Sequence, residues 1–276
     1  DAAGHGRDRP GDTDRLVETS REAEKGNYRE SLKILEEIKT LHYETARSFL
    51  RGKNLETLLA KLDQFFQELG SIIRGLSLLK ECTARSSDTL LSFGELLSTT
   101  VIAARAEERG IPVTWLDSRL LIKTDSQYTN AAPDRTATDE IVRSAIEPEP
   151  GRLFIAQGFI ASDHRGITTT LGRGGSDFSA AVYGAALGAE EVQIWTDVPG
   201  IMTSDPRIVP EAGTVSEISY QEAAELAYFG AKVLHPSTIQ PAVERSIPVY
   251  VRNTADPEGK HTKIVKKASG LEVRAL

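Results

Sequence analysis

Residues 168–207 read TTTLGRGGSDFSAAVYGAALGAEEVQIWTDVPGIMTSDPR, and the order of residue types in this stretch decides the fold. Three threonines and Leu171 form a β-rich lead-in to a glycine turn, Gly172-Arg173-Gly174-Gly175. Ser176 and Asp177 then open a helix of small residues that ends near Gly188. A strand follows at Val192-Gln193-Ile194-Trp195-Thr196, and after it a polar loop, Asp197-Val198-Pro199-Gly200. Strand, glycine loop, helix and strand in this order form a unit that can hold an anion. Glycine lets backbone N–H groups approach a ligand closely, and a helix N-terminus carries partial positive charge. The run GRGGSD taken alone reads equally well as a tight turn. Its setting, with a second loop again at the end of a strand, favours ligand binding at the sheet edge of an α/β fold.

Outward from this stretch, elements alternate on both sides. Strands are expected at 112–116, 120–123 and 153–157, with a helix at 136–145 between them. The apolar run Leu153-Phe154-Ile155-Ala156 suits a strand buried on both faces. Downstream, Ser219 caps a helix over 220–228, a second helix covers 236–245, a strand covers 247–251, and 271–276 has the pattern of a last strand. Upstream the chain is helical. Helices are expected from Thr13 or Asp14 to Lys25, over 28–50, over 55–79, and over 89–109 with Ser86, Ser87 and Asp88 as caps. The stripe Leu55, Leu58, Leu59, Leu62, Phe65, Phe66, Leu69, Ile72, Ile73, Leu76 and Leu79 is packing at helical spacing. The fold class that follows is α/β, a mostly parallel sheet sandwiched by helices, with a helical N-terminal layer. No linker composition interrupts residues 1–276, so one domain is expected, with residues 1–12 irregular.

Composition excludes several classes. A formal charge of -7 argues against nucleic acid or an anionic membrane as partner. Cys82 is the only cysteine, which rules out a disulfide framework and a thiolate metal cluster and fits a reducing cytoplasm. The five histidines are scattered with no pair at ligand spacing, so no histidine metal site is expected. No apolar run approaches the roughly 20 residues that cross a bilayer.

Three more runs join the glycine turn: Ser92-Phe93-Gly94-Glu95-Leu96-Leu97, Gly158-Phe159-Ile160-Ala161, and Tyr228-Phe229-Gly230-Ala231-Lys232-Val233-Leu234-His235-Pro236. With LGRGGSD and the loop from Trp195 to Arg207, they closely resemble the aspartate kinases of the amino-acid kinase fold. Within these the chain looks most like the monofunctional, lysine-sensitive branch.

The resemblance implies transfer of the ATP γ-phosphoryl group to the β-carboxylate of L-aspartate, a step of lysine, threonine and methionine biosynthesis. It implies ATP and Mg2+ as cofactors, and a homodimer. By position, Arg173 would grip a carboxylate of the substrate, for which a guanidinium is suited. Glu95 would hold the ammonium, and Ser176 and Phe159 would line the aspartate site, although Phe159 also reads as core. Asp177 would organise the catalytic cation, or cap the helix that follows. Gly172, Gly174 and Gly175 would bring amides to the transferring phosphate. Thr196, Asp197, Met202 and Arg207 would form the nucleotide side, with Lys232 on the ATP phosphates. Met202 stands where many members carry an aromatic residue, so the base contact there would be packing rather than stacking.

Two family features are not found in this sequence: an opening strand with Lys-Phe-Gly-Gly-Thr-Ser, and paired regulatory ACT domains. On that ground these 276 residues are expected to be insensitive to feedback inhibition, and poor stability is expected only if they are the full polypeptide rather than a piece of a longer enzyme. Competing readings are a kinase of the same fold acting on another substrate, a non-catalytic nucleotide-binding fragment, and a helical scaffold. The scaffold reading leaves both ligand-type loops unexplained.

Overall fold

The computed structural model describes residues 11–204, 208–209, 211–228 and 236–268. The chain divides into two compact units. One unit holds the chain up to Ala132 together with Ile146–Thr170; the other holds Pro133–Ala145 and the chain from Leu171 onward.

The first unit opens with four helices, α1 (Asp12–Glu24), α2 (Tyr28–Phe49), α3 (Gly52–Leu79) and α4 (Ala84–Glu108). Along α3 the buried residues are Leu58, Leu62, Phe66, Leu69, Ile73 and Leu76, steps of three and four that keep one face inward. In α2 the buried face is Ile34, Leu35, Ile38, His42 and Ala46. Each such leucine or isoleucine taken out of water contributes roughly 1.5–3 kcal/mol. Helix α4 runs through this layer, with Leu90, Phe93, Leu96 and Leu97 almost fully buried. Its cap differs from the expected one. Thr83 is the N-cap, accepting a 3.1 Å hydrogen bond from the Ser86 amide, and Asp88 lies inside the helix, fully buried.

After α4 come β1 (Val113–Trp115), α5 (Ser118–Leu121) and β2 (Lys123–Thr124). The strand expected at 120–123 is mostly helical turn, because the Asp117 side chain accepts the Arg119 amide and caps it. The unit closes with β3 (Leu153–Ile155), β4 (Ile160–Asp163) and β5 (Thr168–Thr170). Strands β1 and β3 pair in parallel, and so do β2 and β4, whereas β4 and β5 form an antiparallel hairpin.

Asp163 at the hairpin turn is 2% exposed. It accepts the amides of Arg165 and Ile167 at 2.9 and 3.0 Å, Ser126 Oγ at 3.0 Å and the Arg165 guanidinium at 2.9 Å. Burial opposes its ionisation, yet these donors prevail and hold the carboxyl down at about 2. The folded value lies below that of the unfolded chain. The stabilisation is therefore complete above about pH 4 and is lost as pH falls through the folded value. A shift of this size is worth about 2 kcal/mol. In urea unfolding, the stability of the wild type over Asp163→Asn should shrink by about 2 kcal/mol between pH 6 and pH 2. A difference independent of pH would sink the assignment.

The second unit contains α6 (Arg135–Ala145), α7 (Gly175–Leu187), β6 (Val192–Thr196), β7 (Glu217–Ser219), α8 (Tyr220–Tyr228), α9 (Pro236–Glu244), β8 (Val249–Asn253) and β9 (Thr262–Val265). Its sheet has the order β6-β8-β9-β7, with β6–β8 and β7–β9 parallel and β8–β9 antiparallel. Val192, Ile194, Ile218, Val249, Val251 and Ile264 from the sheet pack with Ala181 of α7 and Ile239 of α9. Ser219 caps α8 as expected, and reciprocally: its Oγ accepts the Glu222 amide while Glu222 accepts the Ser219 amide. Strands β7 and β9 have no counterpart among the expected elements, and the strand expected at 271–276 lies outside the described residues. Among the described residues no helix is long and apolar enough to cross a membrane.

Candidate functional site

In the second unit the glycine turn leads directly into the N-terminus of α7. Gly172 and Gly174 both adopt left-handed backbone, with φ of 74° and 73°. The Gly175 amide closes the turn on the Gly172 carbonyl at 3.0 Å, and the Phe178 amide begins the helical ladder on the Gly174 carbonyl at 3.0 Å. Gly174 is the N-cap of α7 and supplies no side chain to the first turn, whose amides have no acceptor further back in the helix. Those donors and the positive end of the helix face outward together. A side chain at Gly174 is excluded twice over, since an added Cβ would stand 2.8 Å from Thr238 Cγ2 and the φ is one that L residues avoid.

Arg173 and Ser176 are exposed on this turn, and Asp177 is half-buried in the first turn of α7. Asp177 makes no cap bond, and no partner for it stands among the described residues. Burial pushes its carboxyl above the ordinary aspartate value.

A short connection at 188–191 returns the chain from α7 into β6, which packs on it. The C-terminal end of β6 therefore lies at the end of the unit where α7 begins. Thr196 ends β6, its carbonyl held by the Thr254 amide at 2.8 Å, and its hydroxyl donates to Asp197 at 3.2 Å. Met202 is half-buried and bridges to Thr214, whose hydroxyl lies 3.7 Å from the Met202 sulfur. Between them, Gly200 has a φ of 126° and lies so close to β9 that an added Cβ would stand 2.8 Å from the Thr262 amide nitrogen. Buried Thr262 locks this loop, accepting the Ile201 amide at 2.8 Å and donating to the Val215 carbonyl at 2.7 Å. Nothing in the sequence marked Thr262; the signal available was the glycine that has to approach it.

In the first unit, Glu95 is half-buried on α4. Burial, with the charge of nearby Asp12, pushes its carboxyl above the ordinary glutamate value. Gly94 beside it faces α1, where an added Cβ would make ordinary contacts with Leu16 and Thr13 at 3.5 and 3.6 Å. Phe159 is a non-glycine residue in left-handed backbone, with a φ of 68°, and it packs against the helical core. Such strain persists where the surroundings over-determine it.

Two buried polar side chains hold the backbone of this unit: Gln157, which no motif in the sequence marks, and Asp88, which reads in sequence as a helix cap. Gln157, 1% exposed, accepts the Ser118 amide through Oε1 at 2.8 Å and donates through Nε2 to Thr99 at 2.9 Å. Asp88 accepts the amides of Thr129 and Thr170 at 2.8 and 3.0 Å and the Thr170 hydroxyl at 2.7 Å. Thr129 is itself left-handed, with a φ of 71°.

The structure thus brings Gly172, Arg173, Gly174, Gly175, Ser176, Asp177, Thr196, Asp197 and Met202 into one unit, while Glu95 and Phe159 belong to the other. Arg207 and Lys232 lie outside the described residues. Among the described residues no three metal-ligating side chains cluster. Mg2+ that travels with a nucleotide needs only one or two protein carboxylates, and half-buried Asp177 fits that requirement.

Comparison with known proteins agrees with this architecture. The model of the amino acid kinase family matches residues 19–253. Lysine-sensitive aspartokinase 3 of Escherichia coli is 43% identical over 207 residues, covering 73% of this chain and 46% of that protein. A chloroplastic bifunctional aspartokinase/homoserine dehydrogenase 1 of Zea mays is 37% identical over 235 residues, covering 85% of this chain and 26% of that protein. The chain therefore spans less than half the length of these relatives. The crystal structure of Escherichia coli aspartokinase III in complex with aspartate and ADP superposes with a TM-score of 0.83 at 36% identity, covering 93% of this chain and 56% of that one.

Proposed function

Because the chain belongs to the amino acid kinase family, we propose that it is the phosphoryl-transfer part of an aspartate kinase, moving the ATP γ-phosphoryl group to the β-carboxylate of L-aspartate. The observation that carries this reading is the left-handed glycine turn feeding α7, with an N-cap that supplies no side chain and with Asp177 unpartnered among the described residues. In the reaction a P–O bond to a carboxylate oxygen forms as the bond to the β-phosphate oxygen breaks, and ADP leaves with that electron pair. The substrate supplies its own nucleophile. The protein needs only to position it and to meet the charge on the transferring group.

Gly172, Gly174, Gly175 and the α7 amides would donate to the phosphoryl oxygens, and their preset geometry needs no reorganisation during transfer. Arg173, exposed on the turn, would take a carboxylate of aspartate, with Ser176 beside it. Glu95 would take the ammonium, and a cation there stabilises exactly the ionised form that burial disfavours. Phe159 would wall the substrate. Thr196, Asp197 and Met202 would form the nucleotide side with Arg207 and Lys232. Asp177 would hold Mg2+, which neutralises phosphate charge when bound. We extend the reading to a catalytic domain spanning residues 1–276, a cytoplasmic setting and a homodimer, as the family resemblance implies.

The test is ADP release from Mg-ATP with and without L-aspartate. Aspartate-dependent release is expected, and Glu95→Gln should raise the aspartate KM roughly tenfold while leaving the ATP KM within twofold. Release independent of aspartate, or a panel in which glutamate, acetylglutamate or a nucleotide is preferred, would overturn the assignment.

A further inference from the structure

Helix α4 carries Glu95 and, one turn later, Thr99, which is 8% exposed. Three hydrogen bonds converge on the Thr99 hydroxyl. It donates to the Glu95 carbonyl at 2.7 Å, and it accepts from Gln157 Nε2 at 2.9 Å and Trp115 Nε1 at 3.2 Å. One proton and two lone pairs are all that a hydroxyl has, so the oxygen is saturated.

Gln157 is clipped a second time, at Ser118. Its Oε1 accepts the Ser118 amide at 2.8 Å, and its carbonyl accepts the Ser118 hydroxyl at 2.6 Å. Two residues on stands left-handed Phe159, and the intervening Gly158 carbonyl accepts the Ile160 amide at 2.7 Å. The Thr99 oxygen thus bonds at once to α4 at Glu95, to Trp115 at the strand end and to Gln157 in the loop that leads to Phe159, all within one unit.

We infer that Thr99 is a positioning residue for amino-acid binding: its hydroxyl fixes the Phe159 loop relative to Glu95. This rests on the assignment of Glu95 and Phe159 to the aspartate site made above. Neither side chain of the node is proposed to touch substrate. Without the hydroxyl, the buried Gln157 amide and the half-buried Trp115 indole N–H lose their acceptor, and the cheapest relief is movement of the 156–159 loop. That loop is under backbone strain already, so it is the part that gives way.

The pair of variants that tests this is Thr99→Val, which keeps shape and deletes the oxygen, and Thr99→Ser, which keeps the oxygen. L-Aspartate binding is measured by calorimetry, and steady-state KM values for aspartate and ATP are measured alongside the melting temperature. Thr99→Val should raise the aspartate Kd and KM about tenfold with the ATP KM within twofold of wild type. Thr99→Ser should restore the aspartate values to within about twofold even where its melting temperature stays below wild type. A merely structural hydroxyl predicts the contrary: a lower melting temperature for Thr99→Val with aspartate affinity unchanged, or equal losses for both substrates, and either overturns the inference alone. Wild-type protein that turns over but prefers another amino acid overturns the substrate assignment and leaves the Thr99 comparison to be read with the preferred one. Wild-type protein that binds no amino acid overturns both.

Discussion

Gly174→Ala should reduce turnover about a hundredfold, because a displacement near 1 Å of a positioning element costs about that much. The alanine meets two separate penalties. A φ of 73° is disfavoured for any L residue by roughly 1–2 kcal/mol, and the added Cβ would lie 2.8 Å from Thr238 Cγ2. Thr238 is 4% exposed and has no room to withdraw, so the turn must shift and carry with it the amides that open α7. The two penalties can be separated. Thr238→Ala in the Gly174→Ala background removes the contact but not the strain, and should recover about tenfold of the loss. Circular dichroism should show the fold retained, since the helix begins after the substituted residue. Turnover of Gly174→Ala within threefold of wild type would mean that this turn does not hold the transferring phosphate.

The features behind that prediction were legible because glycine, small-residue helix and strand follow one another without interruption from Gly172 to Thr196. The long helices were legible for a similar reason: α3 repeats its buried residues over about five turns, and no other arrangement accounts for the stripe from Leu58 to Leu76. Short elements carry no such repetition. Strand β2 has two residues and β7 three, and both exist because a neighbouring strand accepts them in register. Strand β9 was hidden in a polar run, although Thr262 and Ile264 are its buried residues and Thr262 anchors the loop after β6.

Buried polar groups are hidden more completely. Ser86, Ser87 and Asp88 form a plausible capping sequence, and only the structure shows Thr83 as the cap. The same holds for Gln157, whose role depends on Ser118 and Thr99, 39 and 58 residues away. A local pattern reports what a residue can do with its neighbours in sequence. A buried amide or carboxylate is explained by partners brought up by the rest of the fold. The division into two units had no compositional marker either, because the chain crosses between them at positions such as Thr170 and Leu171, in the middle of the decisive stretch.

Asp88→Ala should destabilise the protein by about 3 kcal/mol, since it removes one acceptor and leaves the two buried Thr170 donors and the part-buried Thr129 amide without a partner. Asp88→Asn is the informative contrast. Its one remaining oxygen can still accept the two amides, and the Thr170 hydroxyl can turn to accept from the new amide group, so the cost should fall to about 1–2 kcal/mol. The pH dependence has a definite sign. Burial pushes the Asp88 carboxyl above its ordinary value, and the three donors only partly offset that. The folded state therefore keeps this proton to higher pH than the unfolded chain does. The stability Asp88 contributes is fully present below about pH 4 and declines as pH rises through the folded value. Asp88→Asn has no proton to lose, so its deficit against wild type should be largest near pH 4 and narrow as pH rises. Hydrogen exchange gives the local readout: in Asp88→Ala the Thr129 and Thr170 amides should lose protection while the α3 core amides exchange at the rate set by the lowered global stability. If both threonine amides kept wild-type protection, the tie from α4 to the strand that leads into the glycine turn would have to be held by something other than Asp88.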